Sequence, residues 1–325
     1  MNRRAALLAL LALASASAPL HAQRVPRIGY LLQSPLTEPP SRERQAFLDG
    51  LRELGYVPGK TVEIVYRSAE DQPEFMDDMA RELLSQKVDL VVVSGVMGTL
   101  AAKKATRAIP IVMLALGDPV GVGAVHSLGR PEANVTGVSF ISSDLAAKRA
   151  QLVKEIAPKS KNIAILWDPG NANARNEATA TIAAARKLGM APRSLALSSD
   201  AALRDALHAL TTRKPDVLYV AFEGGLVSRN RTLIAEFGVN NRVPVISGWS
   251  FMTEAGGLIS YAPDIPAMFR RGAYYVHRVL QGAKPAQLPV EQPTKIELVL
   301  NRKTARAIGV SFPRSILLRA DRVIE

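Results

Sequence analysis

Residues 111–140, IVMLALGDPVGVGAVHSLGRPEANVTGVSF, decide how the chain is organised. They hold an apolar run, a glycine-rich turn opening on Gly117-Asp118-Pro119, a polar excursion, and a second apolar run starting at Val135. Short apolar runs bounded by turn signals read as strands buried on both faces, the strand type of parallel sheets. One α/β unit is readable before this stretch and another after it. The stretch therefore marks the passage between two lobes, forming one lip of a ligand cleft and the first of several hinges.

Upstream, strands are expected over 27–32, 61–66, 89–93 and 111–116, alternating with helices over 42–54, 74–85 and from Ser94-Gly95 to 107. The first helix turns Phe47, Leu51 and Leu54 to one face and stops at Gly55; the second carries Phe75, Met79 and Leu83 at helical spacing. Downstream the pattern restarts. Asp144 caps a helix to 156, followed by a strand over 162–167 and a helix over 172–188 whose stripe is Ala174, Ala178, Ile182, Ala185 and Leu188. Further strands over 193–197, 216–221 and 243–247 alternate with helices over 200–211 and 228–239. Such alternation is the signature of βαβ units and parallel sheets, here two α/β lobes of similar plan. A coda follows: a strand over 257–261, a helix over 265–280 with Met268, Phe269, Val276 and Val279 inward, a proline-rich segment over 285–293, and a strand over 295–300. A last helix is capped by Asn301 and ended by Gly309. A coda after two complete units implies that the chain recrosses between them.

A length of 325 residues is comfortable for two cores. The chain opens Met1-Asn2-Arg3-Arg4, continues apolar over 5–14, and then turns small, the plan of a secretory signal over 1–22 cut before Gln23. Its apolar run is too short for a permanent bilayer anchor. The absence of cysteine removes disulfides, thiolate metal sites, a cysteine nucleophile and the acceptor for an N-terminal lipid. The expectation is an exported, unlipidated protein free in a Gram-negative periplasm. The formal charge of +12 falls to +10 without Arg3 and Arg4. Lys and Arg are scattered along helix faces, Arg270-Arg271 being the densest patch, with no basic run interleaved by aromatics, which speaks against a nucleic-acid partner.

No catalytic set stands out. Gly117, Gly121 and Gly123 lack a following Gly-Lys-Ser/Thr, and His126 stands where a dinucleotide fingerprint needs its third glycine, so no cofactor is expected. There is no Gly-x-Ser-x-Gly elbow, and His126, His208 and His277 are far apart without a second metal ligand at helical spacing. What remains is loop chemistry at the carboxyl ends of strands, where open α/β sheets bind ligands. Ser34 follows the first strand, Ser94 and Gly95 the third, and Asp118 the fourth; in the second lobe Trp167-Asp168, Phe222-Glu223 and Trp249 follow strands. Ser94, Gly95 and Thr99 lie at a helix N-terminus, which favours an anion such as a carboxylate, with Ser94 as a donor. Asp118, Asp168 or Glu223 answers an ammonium, and Phe140, Trp167, Phe222, Trp249 and Tyr261 supply stacking or cation–π surfaces.

Several motifs carry a family resemblance: Gly50-Leu-Arg-Glu-Leu-Gly-Tyr56, Gly117-Asp-Pro-Val-Gly121, Asn134-Val-Thr-Gly-Val-Ser139, Ala255-Gly-Gly-Leu-Ile-Ser-Tyr261, Leu288-Pro-Val-Glu-Gln-Pro-Thr294 and Leu317-Leu-Arg-Ala-Asp321. In this order, over nearly all of the mature chain, they resemble the ABC-transporter substrate-binding proteins of tryptophan and related uptake systems. The resemblance implies the type I periplasmic binding-protein fold: an α/β protein of two Rossmann-like lobes with parallel sheets, joined by three hinge crossovers near 139–142, 261–264 and 289–294. On that plan the N-terminal lobe is 24–140 plus 263–289 and the C-terminal lobe 141–262 plus 290–325. The implied work is capture of a small organic solute (an amino acid, an aromatic or a carboxylate-bearing compound) by domain closure, and its delivery by a monomer to an ABC permease in the inner membrane. Many relatives carry Pro-Asp or Thr-Asp where this chain has Phe222-Glu223, and a smaller or polar residue where it has Trp167. A ligand-sensing subunit for a membrane receptor and a periplasmic enzyme on the same scaffold are the alternatives.

Overall fold

The computed structural model of the protein describes residues 24–131, 133–140, 142–221 and 225–325; the signal segment read over 1–22, and Phe222 and Glu223, lie outside the described residues. The first sheet comprises β1 (Arg27–Leu32), β2 (Glu63–Ser68), β3 (Leu90–Ser94), β4 (Ile111–Gly117) and β5 (Val135–Phe140). Its strands are all parallel, in the order β2-β1-β3-β4-β5. Every residue of β4 and β5 is buried, the physical reason why 111–140 reads as two unbroken apolar runs. The second sheet comprises β6 (Asn162–Trp167), β7 (Ala191–Ala196), β8 (Val217–Val220), β9 (Val245–Ser247), β10 (Ile259–Pro263), β11 (Ile296–Asn301) and β12 (Arg322–Ile324). Its order is β12-β11-β10-β9-β8-β6-β7, with β11 antiparallel to β10. The strand order thus reverses between β1 and β3 in one sheet and between β6 and β8 in the other, and such switch points are where α/β sheets open a ligand crevice.

Helices α1 (Arg42–Glu53), α2 (Met76–Ser85) and α3 (Val96–Ala105) connect the strands of the first sheet. Those of the second are α4 (Ala146–Ile156), α5 (Ala172–Lys187), α6 (Asp200–Thr212), α7 (Gly225–Arg229), α8 (Arg231–Asn241) and α9 (Ser250–Glu254). Then α10 (Ile265–Leu280) returns to the first sheet, and α11 (Arg302–Ile308) and α12 (Arg314–Leu317) close the chain against the second. The return of α10 is driven by its apolar stripe. Met268, Phe269 and Val276 share one core with Phe47 and Leu51 of α1 and with Tyr30 and Leu114 of the sheet, each buried side chain stabilising by about 1.5–3 kcal/mol. Asp264 caps α10 by accepting from the Ala267 N–H at 3.0 Å.

The chain crosses between sheets three times: after β5, after β10, and between α10 and β11. The first and third crossings lie side by side. The Ser139 N–H donates to the Glu291 carbonyl at 2.8 Å, and the Glu291 N–H to the Gly137 carbonyl at 3.1 Å. Arg271 of α10 grips the Glu291 carboxylate with two bonds of 2.7 Å, which hold that carboxyl below the usual range.

Several element ends differ from the sequence expectation. Phe75 is not inward: it lies in a short 3₁₀ turn (Pro73–Phe75) and is 44 % exposed, so that α2 starts at Met76 and buries Met76, Ala80 and Leu83 instead. Asp144 does not cap a helix. Residues Ser142–Leu145 form a 3₁₀ turn, pinned by Arg149 on the Ser142 carbonyl, and α4 begins after it without a side-chain cap. The helix expected over 228–239 breaks at Asn230, whose amide bonds back to the Leu226 carbonyl and across to Asp200. Strand β2 begins late because Thr61 is held in the preceding turn by the Gly55 carbonyl and the Val57 N–H.

Candidate ligand cleft

The carboxyl ends at the first switch point carry Gln33-Ser34 after β1 and Ser94-Gly95 after β3. Gly95 has φ +76° and precedes α3, a left-handed conformation that favours glycine there. Thr99 is buried, and its hydroxyl donates to the Gly95 carbonyl at 2.7 Å, closing its own helical turn. Ser34 is exposed, and its carbonyl accepts from the Ser68 hydroxyl at 2.8 Å. Its neighbour Gln33 reaches further: a β-carbon at Gly225 would stand 3.6 Å from Gln33 Nε2, 3.4 Å from Asp71 Oδ1 and 3.3 Å from an Arg229 guanidinium nitrogen. Gln33 and Asp71 thus meet Gly225 and Arg229 of the second sheet's α7. Burial pushes the Asp71 carboxyl up, against the pull of Arg229. Sequence reasoning passed over both Gln33 and Asp71, which carry no motif.

At the end of β4, Asp118 folds on itself, accepting from the Gly121 N–H at 2.9 Å with φ +37°. Gly117 before it borders the second half of the molecule, because a β-carbon there would lie 2.6 Å from Asn173 Nδ2 and 2.8 Å from its Cγ. Asn173 stands in the first turn of α5, capped by Asn171, and is 4 % exposed. Phe140, at the end of β5, packs edge-on against Trp249 after β9, with ring centroids 5.5 Å apart and an interplanar angle of 78°. Both rings are buried, Phe140 to 2 % and Trp249 to 8 % exposure, in a core that also takes in Ala174. Trp167 packs at the same junction, but its indole N–H donates to the Ser194 hydroxyl of β7 at 2.8 Å. An exposed pair of Arg42 and Glu254, 3.0 Å apart, spans the two halves at the rim, where it is worth at most about 1 kcal/mol.

The structure therefore brings Phe140 and Trp249 together, sets Gly117 against Asn173, and gathers Gly95, Gln33 and Asp71 near Gly225. It directs Thr99 and the Asp118 carboxylate into their own turns. Gly117→Ala is expected to force the lobes apart, since a methyl group would occupy the place of the Asn173 amide and overpacking of this kind costs about 1–3 kcal/mol. Small-angle scattering reads this as a larger radius of gyration than that of the unsubstituted protein; an unchanged profile refutes it.

Beneath the cleft lies a buried charge cluster that the sequence reading did not find. Arg149 of α4 and Glu177 of α5 are both fully buried, 2.8 Å apart. Arg149 also donates to the Tyr261 carbonyl at 2.8 Å and the Ser142 carbonyl at 3.1 Å, while Tyr219 donates to Glu177 at 2.6 Å and the Ser142 hydroxyl bonds the other carboxylate oxygen. Burial acts to lower the Arg149 pKa, and neighbouring Tyr219 and Glu177 outweigh it, so the guanidinium stays charged. Burial pushes the Tyr219 phenol up, against the pull of Arg149. One guanidinium thereby ties the first crossing at Ser142 to the second at Tyr261. Of Tyr261 it is the carbonyl that is engaged there; its half-buried ring packs against the core of the second sheet. Among the described residues, no group of three or more His, Cys, Asp or Glu side chains is placed to hold a metal.

Comparison with known proteins agrees with this architecture. A "Tyrosine-binding protein" of Clostridioides difficile (strain R20291) is 28% identical over 280 residues, covering 85% of this chain and 80% of its own. A Streptococcus pneumonia ABC domain solved in complex with L-Trp superposes with a TM-score of 0.84 at 27% identity, covering 92% of this chain and 99% of that one. The ligand-free, open structure of a Clostridium difficile substrate binding protein with adhesive properties gives 0.68 at 25% identity, over 92% and 99% of the two chains. The family described as "ABC transporter substrate binding protein" matches residues 37–324, from the loop after β1 into the last strand, so every strand but β1 and all three crossings fall at least partly within the match. This chain belongs to the ABC transporter substrate binding protein family.

Proposed function

We propose that the protein captures a small aromatic solute, an aromatic amino acid or a close analogue, between its two sheets and hands it to an ABC permease in the inner membrane. The observation that carries this reading is the buried edge-to-face pair of Phe140 and Trp249, contributed by opposite sides of the cleft next to the Gly117–Asn173 contact. Aromatic rings prefer such offset and edge-on partners, and a flat solute admitted between the lobes would find in this pair an aromatic surface to pack against. The L-Trp held by the Streptococcus relative and the name of the Clostridioides protein support the same solute class. The higher TM-score to the L-Trp complex than to the ligand-free open structure supports a closed arrangement of these lobes. On this reading residues 24–140 plus 263–289 move against 141–262 plus 290–325, after export, removal of 1–22 and release into the periplasm as a monomer.

The test is calorimetric titration of the mature chain with L-tryptophan, L-tyrosine, L-phenylalanine, benzoate and L-leucine, with melting temperatures measured alongside. At least one aromatic member is expected to bind and to raise the melting temperature, because a ligand that binds only the folded state stabilises it by mass action. Equal binding of L-leucine, or binding of no aromatic compound, overturns the proposal.

A further inference from the structure

The amide of Asn173, in the cleft wall, is buried without a partner among the described residues. It is 4 % exposed, and neither its Nδ2 nor its Oδ1 has a hydrogen-bond partner among the described residues. Because both ends are unpartnered, exchanging the two atoms by flipping the amide leaves the situation unchanged. A buried amide without partners costs free energy, and an apolar residue of the same shape would remove that cost. Ala174 and Ala178 lie beside Asn173 on α5, and the next buried polar residue on its own stripe, Glu177, is taken up by Arg149. Across the junction Gly117 lacks the side chain that would collide with the amide. The amide thus sits where the two halves of the molecule meet, beside the core that holds Phe140, Trp249 and Ala174.

We propose that Asn173 reads the head group of an α-amino acid, its Nδ2 donating to the carboxylate and its Oδ1 accepting from the ammonium. Two properties of the surroundings favour this chemistry. The residue lies in the first turn of α5, a helix of 16 residues whose N-terminal dipole end attracts a carboxylate. One turn further along α5, Glu177 is already neutralised by Arg149, so the buried face presents no net negative charge to repel it. A plain aromatic acid offers acceptors only and leaves Oδ1 dry, and an aromatic amine leaves Nδ2 dry. A zwitterion satisfies both ends. This inference rests on the aromatic-solute reading above and narrows it from aromatic amino acids and their analogues to solutes that carry both the ammonium and the carboxylate.

The experiment titrates L-tyrosine, tyramine and 3-(4-hydroxyphenyl)propionate into the mature wild-type chain and into Asn173→Leu and Asn173→Asp. Wild type is expected to prefer L-tyrosine over either truncated analogue by about tenfold or more, the scale of one hydrogen bond to a charged group. Asn173→Leu is expected to lose about tenfold to a hundredfold in L-tyrosine affinity and to bring all three compounds within about threefold of one another. Its melting temperature without ligand should be no lower than that of wild type, since the substitution removes an unpartnered amide; a merely structural asparagine would instead lower it. Asn173→Asp keeps the side chain's shape and suits a helix N-terminus, and its folding is verified by circular dichroism before titration. It should retain tyramine while losing the propionate, because a carboxylate then faces a carboxylate. Wild-type affinity and wild-type discrimination in both variants overturn this inference and leave the aromatic-solute reading standing. If wild type binds none of the three compounds nor any other aromatic solute, both fall.

Discussion

Arg149→Leu is expected to destabilise the second lobe by about 3–5 kcal/mol. The substitution leaves Glu177 as a fully buried carboxylate that has lost its guanidinium; Tyr219 and the Ser142 hydroxyl, which also bond it, are neutral donors. The loss of the facing positive charge, more than of the bonds themselves, sets the magnitude. A double substitution, Arg149→Leu with Glu177→Leu, removes both charges and is expected to recover most of the loss, as buried ion pairs replaced by apolar residues commonly do. Urea titrations followed by the fluorescence of Trp167 and Trp249, both on the second sheet's side, measure this directly. A wild-type midpoint for the single variant, or a double variant no better than the single one, refutes the account. Because Arg149 also holds the Ser142 and Tyr261 carbonyls, the double variant should keep its fold while its two hinge crossings lose their common anchor. Amide exchange at 142–145 and 261–264 should then quicken.

Gly137→Ala is the second large effect. Gly137 has φ +135°, a conformation that L side chains rarely adopt, and a β-carbon there would stand 2.1 Å from the Met113 carbonyl oxygen and 2.8 Å from the Met113 nitrogen. Its own carbonyl accepts the Glu291 N–H, so the position is fixed from the side of the third crossing as well. Opposing atoms that are backbone cannot rotate away. The expected destabilisation of the first lobe is about 2–5 kcal/mol, combining local backbone strain with overpacking. Gly123→Ala separates the two contributions: its φ is +72°, yet nothing lies within 4 Å of a β-carbon there. It should cost only about 1–2 kcal/mol, the ordinary penalty for a left-handed alanine. Thermal unfolding of the two variants side by side checks the difference; equal losses would mean that the clash with Met113 is relieved by movement of β4.

Much of the architecture was legible because hydropathy records burial faithfully where a whole segment is buried. Strands β1 and β6 and helix α10 begin and end where their apolar patterns do, and Asn301 and Gly309 cap α11 as their residue types suggest. The ends of β4 and β5 near Gly117 and Phe140 were legible for the same reason, since both strands are fully buried. Helix starts were less so. The shift from Phe75 to Met76 as the inward residue follows from one 3₁₀ turn, a displacement that leaves the composition untouched.

The polar stripe of α5 was not legible at all. Asn173, Glu177 and Thr181 are all buried, next to the alanine stripe that the periodicity identified. Arg149 sits in the sequence Ala-Lys-Arg-Ala of α4, where a cation reads as a solvated face, yet it is fully buried. By itself, then, the sequence determined two α/β units of mainly parallel strands, a returning C-terminal segment and strand ends to within about two residues, because each follows from local hydropathy and backbone propensity. Only the tertiary structure decided which polar groups leave water, because burial of a charge or an amide depends on a partner brought up from elsewhere in the chain: Arg149 for Glu177 across two helices, and Gly117 making room for Asn173 across the cleft.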